Sequence, residues 1–119
     1  HWLAISQSPT AEEIAWATQS AQQAETVIAF TINAYTDTAQ QRLIEALPPD
    51  RTAVVALWSP YDWLAIAPIS TYMVTYSPLD PAAYAACAVI FGQQPAYGQL
   101  PLTLGENLPA GRGITSKGL

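Results

Sequence analysis

The stretch VVALWSPYDW, Val54 to Trp63, joins an apolar run to a polar turn. The apolar part belongs to residues 52–58, which show no alternation of apolar and polar positions. Continuous runs of this kind are typical of strands buried on both faces, as in parallel sheets. Ser59 can cap a helix whose first turn holds the following proline. The same turn, with its tyrosine and aspartate, can instead form a binding site at the end of the strand.

Three helices with recognisable starts separate the apolar runs. Thr10 and Glu13 match a capping box, Asp37 is a second cap, and Asp80 with a following proline opens the third helix. Strands alternating with helices favour an α/β fold. We expect a doubly wound, mainly parallel sheet of about four to five strands with helices on both faces, a flavodoxin-like three-layer sandwich. The strands are predicted at residues 2–6, 26–32, 52–58 and 69–76, with 100–104 as a short edge strand.

The composition changes after Gly92, where Gly, Pro, Gln and Asn become frequent. Residues 1–104 are expected to form the α/β sandwich domain. Residues 105–119 have no apolar pattern for a core of their own, so we predict an extended C-terminal tail.

The charge and the reactive side chains exclude several kinds of partner. Nine acidic residues and four scattered Lys and Arg give a net charge of −5 at pH 7. Without a basic cluster, neither nucleic acid nor an anionic membrane surface is expected as a partner. His1 and Cys87 are the only residues of their kinds, and no glycine-rich nucleotide motif follows a strand. We therefore expect no metal and no cofactor.

Polar and aromatic residues follow two of the predicted strands. Ligands of open α/β sheets bind at the carboxyl ends of strands, and these side chains suit a polar ligand such as a sugar. The candidate ligand-binding residues are Asn33, Tyr35, Asp37, Tyr61 and Asp62.

Helix capping explains the same residues without a ligand. Caps recur at every junction between strand and helix, so this interpretation is favoured. A third interpretation makes Asp37 and Asp62 the acid and base of a self-sufficient hydrolase. Cys87 lies in an apolar helix and is expected to fill the core rather than to act as a nucleophile. Three of the four tryptophans are expected in core or interface packing.

A series of stretches spread over most of the chain carries a family resemblance. They are Val27 to Tyr35, Gln40 to Ile44, Val54 to Asp62, Thr71 to Tyr76, Phe91-Gly92, Pro95 and Gly98 to Leu102. In this order they resemble the C-terminal α/β sandwich domain of glycoside hydrolase family 3, in its bacterial β-N-acetylglucosaminidase branch. The match runs from about Val27 to Leu104. At position 99 this chain has glutamine, where the family's Gly-Arg-Leu-Pro segment usually has arginine. The difference affects only the local contact that this arginine would make.

The resemblance implies a non-catalytic role for this chain. Enzymes of this branch place an N-terminal (β/α)8 barrel before the sandwich, with the aspartate nucleophile and the histidine-containing acid/base motif in the barrel. No residue here matches those motifs, and neither Glu45 nor Glu106 matches the acid/base motif of the related β-glucosidase branch. The implied function is packing on the barrel of an enzyme that hydrolyses β-linked N-acetylglucosamine or related glycosides.

The family sandwich usually begins upstream of this match, so we expect an incomplete domain. Its first strand would lack a neighbour and leave a sheet edge through which copies can self-associate. No signal peptide is recognised and the chain begins at His1, so the compartment, cytoplasmic or secreted, stays open. The alternative function is a free-standing flavodoxin-like module that binds a polar small molecule at the carboxyl ends of the strands.

Overall fold

The computed structural model describes residues 2–66, 68–106 and 108–113. The α-helices are α1 (Ala11–Gln22), α2 (Thr38–Ala46) and α3 (Asp80–Ile90), the strands are β1 (Val27–Thr31), β2 (Thr52–Ala56) and β3 (Thr71–Val74), and two 3-10 helices span Ala34–Thr36 and Pro60–Ala65.

The three strands form one parallel sheet in the order β1-β2-β3. Val27 lies opposite Thr52 in the first pair, and Val54 lies opposite Tyr72 in the second. Every residue of the central strand β2 is buried, as expected for a continuous apolar strand covered on both faces. The prediction of a parallel α/β sheet is confirmed at this level.

The described residues contain three strands rather than the predicted four to five. Segment 2–6 lies beside β1 without being part of the sheet. The ring of Trp2 stacks on Phe30 with centroids 6.4 Å apart, and Leu3 and Ile5 pack against the core. The apolar side chains are therefore placed as a strand would place them, but the ladder of backbone hydrogen bonds that defines a strand has not formed.

Segment 100–104 is not a strand either. Its backbone turns toward the residues that follow it instead of toward the sheet. The N–H of Leu100 donates to the carbonyl of Arg112 at 2.8 Å, and the N–H of Gly111 donates back to Leu100 at 2.7 Å. The described part of the predicted tail thus folds back on this segment, and residues 114–119 lie outside the described residues. The domain boundary after Leu104, a buried residue, stays a prediction.

Helices cover both faces of the sheet, and neighbouring residues of β2 contribute to the cores on opposite faces. Val54 belongs to a core that α1 and α2 complete, and Val55 belongs to a second core with α3. The small side chains of Ala17 and Ala21 are buried where α1 meets the first core. This close packing is the reason for the small-residue face that the sequence shows on α1.

Two of the three helices begin as the sequence predicts. Thr10 and Glu13 form the capping box of α1, and the carboxylate of Asp37 accepts two backbone N–H groups in the first turn of α2. The start of the third helix differs from the prediction that Asp80 caps it. Asp80 is already the first residue of α3, and Leu79 occupies the cap position.

Candidate functional site

The carboxyl ends of the three parallel strands lie along one edge of the sheet. The 3-10 helix Ala34–Thr36 follows β1, and the longer 3-10 helix Pro60–Ala65 follows β2. These two helices contact one another. Four of the five predicted ligand-binding residues lie in or next to them, and Asp37 begins α2 immediately afterwards.

Asp62 lies completely buried beneath this edge. One carboxylate oxygen accepts a hydrogen bond from the hydroxyl of Thr31 at 2.7 Å, and the other accepts the backbone N–H of Tyr35 at 3.1 Å. A buried carboxylate is tolerated only when its oxygens are paired in this way. Asp62 therefore joins the second 3-10 helix to the end of β1, and it does not cap its own turn as the capping interpretation of these residues predicts.

The turn after β2 is a cap, as favoured from the sequence. The hydroxyl of Ser59 accepts the backbone N–H of Tyr61 at 3.2 Å, and Pro60 occupies the first turn of a 3-10 helix rather than an α-helix. The hydroxyl of Tyr72 donates to the carbonyl of Pro60 at 3.1 Å. Burial, and next the nearby charge of Asp62, raise the pKa of Tyr72, so this hydroxyl stays protonated as a donor.

Tyr35 and Tyr61 come together above Asp62. Their ring centroids are 6.2 Å apart, with the ring planes inclined by 48°. Both rings are exposed, and so is Asn33, whose backbone adopts the left-handed conformation at φ 55°. The structure thus brings Asn33, Tyr35 and Tyr61 to one exposed surface and places Asp62 underneath as its support.

Asp37 is occupied in fixing the start of α2. One carboxylate oxygen accepts the N–H groups of Ala39 and Gln40, at 3.0 and 3.2 Å, and the other accepts the hydroxyl of Ser8. The hydrogen bond from Ser8 is the main reason that the pKa of Asp37 lies below its ordinary value. Since Asp62 is buried and all carboxylate oxygens of both residues accept protein hydrogen bonds, the structure does not support the acid and base pair.

Two residues of this edge were missed by the sequence reasoning. Trp58 follows β2 and was assigned to core or interface packing, but 55% of it is exposed. Tyr76 follows β3 and is also exposed, with its backbone in the left-handed conformation at φ 58°. An aromatic residue at the end of an apolar run, two positions after the last strand residue, is the signal that could have identified them. Cys87, expected in the core, is half-buried in α3.

A cavity of about 230 Å³ lies beside the end of β1, under the segment that contains Ile5 and Pro9. Its lining is mainly apolar. The amide of Gln40 forms part of the wall, but it accepts the N–H of Ile32 at 3.0 Å and donates to the carbonyl of the same residue at 2.8 Å. With its amide used on the backbone, Gln40 completes the edge of β1 and offers little to a polar ligand.

Two features are absent from residues 2–66, 68–106 and 108–113, the part of the chain that the structure describes. In these ranges no three His, Cys, Asp or Glu side chains come close enough to hold a metal ion. No helix there has the length and apolar character needed to cross a bilayer.

Comparison with known proteins gave one informative similarity. No protein-family model matches the chain, and no curated protein matches it significantly. A solved structure, a glycoside hydrolase family 3 β-N-acetylglucosaminidase from Paenibacillus sp. strain FPU-7, is similar with a TM-score of 0.71. The sequences are 30% identical over 76% of this chain, and the match spans 18% of the Paenibacillus chain. The similarity supports a glycoside hydrolase family 3-like domain that corresponds to one part of a larger enzyme.

Proposed function

We propose that this chain is a non-catalytic C-terminal domain of a glycoside hydrolase family 3 enzyme. The parent enzyme would hydrolyse β-linked N-acetylglucosamine or a related glycoside, with its chemistry in a (β/α)8 barrel on which this domain packs. The observation that carries the proposal is the similarity to the Paenibacillus enzyme, which combines 30% identity with a TM-score of 0.71 over 76% of this chain.

The carboxylates at the strand ends favour a non-catalytic role. Most glycosidases use two carboxyl groups that flank the scissile bond. Asp62 is buried and paired, and Asp37 caps a helix. Their hydrogen bonds give both residues a structural role, which supports the proposal that this chain is non-catalytic.

A surface without charge favours packing on another domain. Residues 81–105 contain no charged side chain. Ala86 is the only buried residue of α3, while Tyr84, Phe91 and Tyr97 are all more than half exposed. Aromatic residues in an uncharged surface are typical of protein interfaces. We call the surface that Tyr84 and Phe91 form on one side of α3 the α3 surface, and propose it as the contact with the barrel.

A complementation experiment tests the proposal. The Paenibacillus enzyme lacking the matched segment is mixed with the purified 119-residue chain, and hydrolysis of an aryl β-N-acetylglucosaminide is measured. We expect no turnover by the chain alone and a gain of activity or of thermal stability on mixing. The matched control carries Tyr84→Lys and Phe91→Lys on the α3 surface. Turnover by the chain alone, or equal results with the control, would contradict the proposal.

The second candidate is a free-standing flavodoxin-like module for a polar small molecule. The exposed surface that Asn33, Tyr35 and Tyr61 form at the strand ends favours it. Such a module should be monomeric and should gain stability from its ligand without any barrel, because binding to the native state raises the melting temperature. We would not expect a free-standing module to complement the truncated Paenibacillus enzyme through the α3 surface.

A further inference from the structure

An exposed aromatic ring follows each of the three strands. Tyr35 follows β1, Trp58 and Tyr61 follow β2, and Tyr76 follows β3. These four residues, which we call the strand-end aromatic row, are between 45% and 55% exposed. Their rings do not fill the core, so their apolar faces are available to a ligand.

Contacts at the strand ends bring the row to one edge of the sheet. The rings of Tyr35 and Tyr61 lie 6.2 Å apart. On the other side, the hydroxyl of Thr75 donates to the carbonyl of the residue before Trp58 at 3.3 Å, and Tyr76 follows Thr75 directly. Because neighbouring strands lie about 4.8 Å apart, the three strand ends span roughly 10 Å. That span suits a short oligosaccharide rather than a single sugar.

Each ring of the row also carries a polar group without a protein partner. Among the described residues, the hydroxyls of Tyr35, Tyr61 and Tyr76 and the indole N–H of Trp58 make no hydrogen bond to the protein. The buried hydroxyl of Tyr72, in contrast, is used inside the protein. A sugar presents C–H groups on its faces and hydroxyls around its edge, so an aromatic face with a free donor beside it is a suitable partner.

The loops that carry these rings are held in place by the protein. Asp62 fixes the backbone of Tyr35 from below. Asn33 and Tyr76 adopt left-handed backbone conformations, at φ 55° and 58°. Asparagine adopts this conformation readily, but a tyrosine keeps it only where the surrounding structure imposes it, which is frequent at binding sites. The backbone of the row is therefore held in place at Tyr35 and Tyr76.

From this arrangement we propose that the strand-end aromatic row stacks on a short oligosaccharide of β-linked N-acetylglucosamine. The sugar class rests on the proposed function, because the similar Paenibacillus enzyme is a β-N-acetylglucosaminidase. Tyr35, Tyr61, Trp58 and Tyr76 contact the sugar, and Asp62 positions the loop without touching it. The surface holds substrate or product next to the enzyme and carries out no chemistry.

A binding experiment with the purified chain tests this inference. N,N′,N″-triacetylchitotriose is titrated into the isotope-labelled chain, and the amide signals of Tyr35 and Tyr76 are followed by NMR. Replacement of one ring of the row by alanine should weaken binding about three- to tenfold, the loss expected for one aromatic contact. Tyr84→Ala, which removes a still more exposed ring on the α3 surface, should leave binding unchanged. Tyr76→Phe keeps the ring and separates stacking from the role of the hydroxyl.

The outcomes separate the sugar from other occupants and from the proposed function. Signal changes confined to the row, with weakened binding in Tyr35→Ala and Trp58→Ala, support the inference. No binding at millimolar sugar, or equal loss in Tyr84→Ala, overturns it. If row variants impair complementation of the truncated Paenibacillus enzyme but bind no sugar, the row is a protein contact and the inference is wrong. Sugar binding without complementation would leave the inference standing and reject the proposed packing role.

Discussion

The carboxylate of Asp62 accepts a hydrogen bond from the hydroxyl of Thr31 at 2.7 Å across 31 residues of sequence. Both residues are buried, and the bond joins the end of β1 to the 3-10 helix that follows β2. The second oxygen of the same carboxylate accepts the N–H of Tyr35. One side chain thus determines how two strand-end loops are arranged.

Replacing Asp62 by asparagine should destabilise the domain. Asparagine can accept with only one of its two terminal groups, so either the Thr31 O–H or the Tyr35 N–H loses its acceptor. An unsatisfied buried group costs about 1–3 kcal/mol of unfolding free energy. Urea unfolding of Asp62→Asn measures the loss, and Asp50→Asn at an exposed aspartate is the control. Equal stability of the two variants would show that the Asp62 pairing contributes nothing.

Stability at low pH should depend on the hydrogen bond between Ser8 and Asp37. The pKa of Asp37 is lower in the folded chain than its ordinary value of 3.8. A depressed folded pKa contributes stability above the unfolded pKa, and this contribution is lost as the pH falls from about 4 through the folded pKa. Ser8→Ala should therefore lower the melting temperature at pH 7 and reduce its dependence on pH below 4.

A double variant provides the control for this prediction. In an Asp37→Asn background no carboxylate remains at position 37. Ser8→Ala should then no longer change the pH dependence of the melting temperature. If Ser8→Ala changes the melting temperature below pH 4 equally in both backgrounds, its effect does not depend on the Asp37 carboxylate.

Core packing predicts that valine-to-alanine substitutions in the neighbouring strands β1 and β2 differ in their cost to stability. Val54 of β2 is completely buried, whereas Val27 of β1 is only partly buried. Deleting the same methyl groups leaves a larger cavity at the buried site, so Val54→Ala should cost about 2 kcal/mol and Val27→Ala clearly less. Chemical denaturation of both variants checks this order, and a larger loss for Val27→Ala would show that β1 is covered more fully than the structure indicates.

The α3 surface should affect association and not folding. Tyr84 and Phe91 are exposed, so Tyr84→Lys with Phe91→Lys should change the free energy of unfolding by less than about 1 kcal/mol. The same pair should reduce any self-association, because two charges would enter an uncharged contact. Sedimentation at increasing concentration measures the effect. Unchanged association in the double variant would contradict this prediction and favour the edge of the sheet at β1 as the contact between copies.

Local sequence signals predicted much of the fold correctly. The continuous apolar run of β2, the capping box at Thr10 and the cap at Asp37 depend on residues close in sequence, and the structure confirms all three. Segment 2–6 has the apolar residues of a strand, but a strand also needs a paired neighbour, and that pairing is a tertiary property. Three strands therefore appear where four to five were expected.

The sequence by itself determined where the three parallel strands lie, where two of the helices begin, and that polar and aromatic side chains gather at the strand ends, but not that residues 2–6 and 100–104 stay outside the sheet. Only the tertiary structure decided the role of each of these side chains. Asp62 is turned inward by Thr31 and Tyr35, and Asp37 is held by Ser8, because burial and distant partners select among the bonds a carboxylate can form. Trp58 and Tyr76 are exposed for a similar reason, since residues distant in sequence determine which surface of the folded chain is covered.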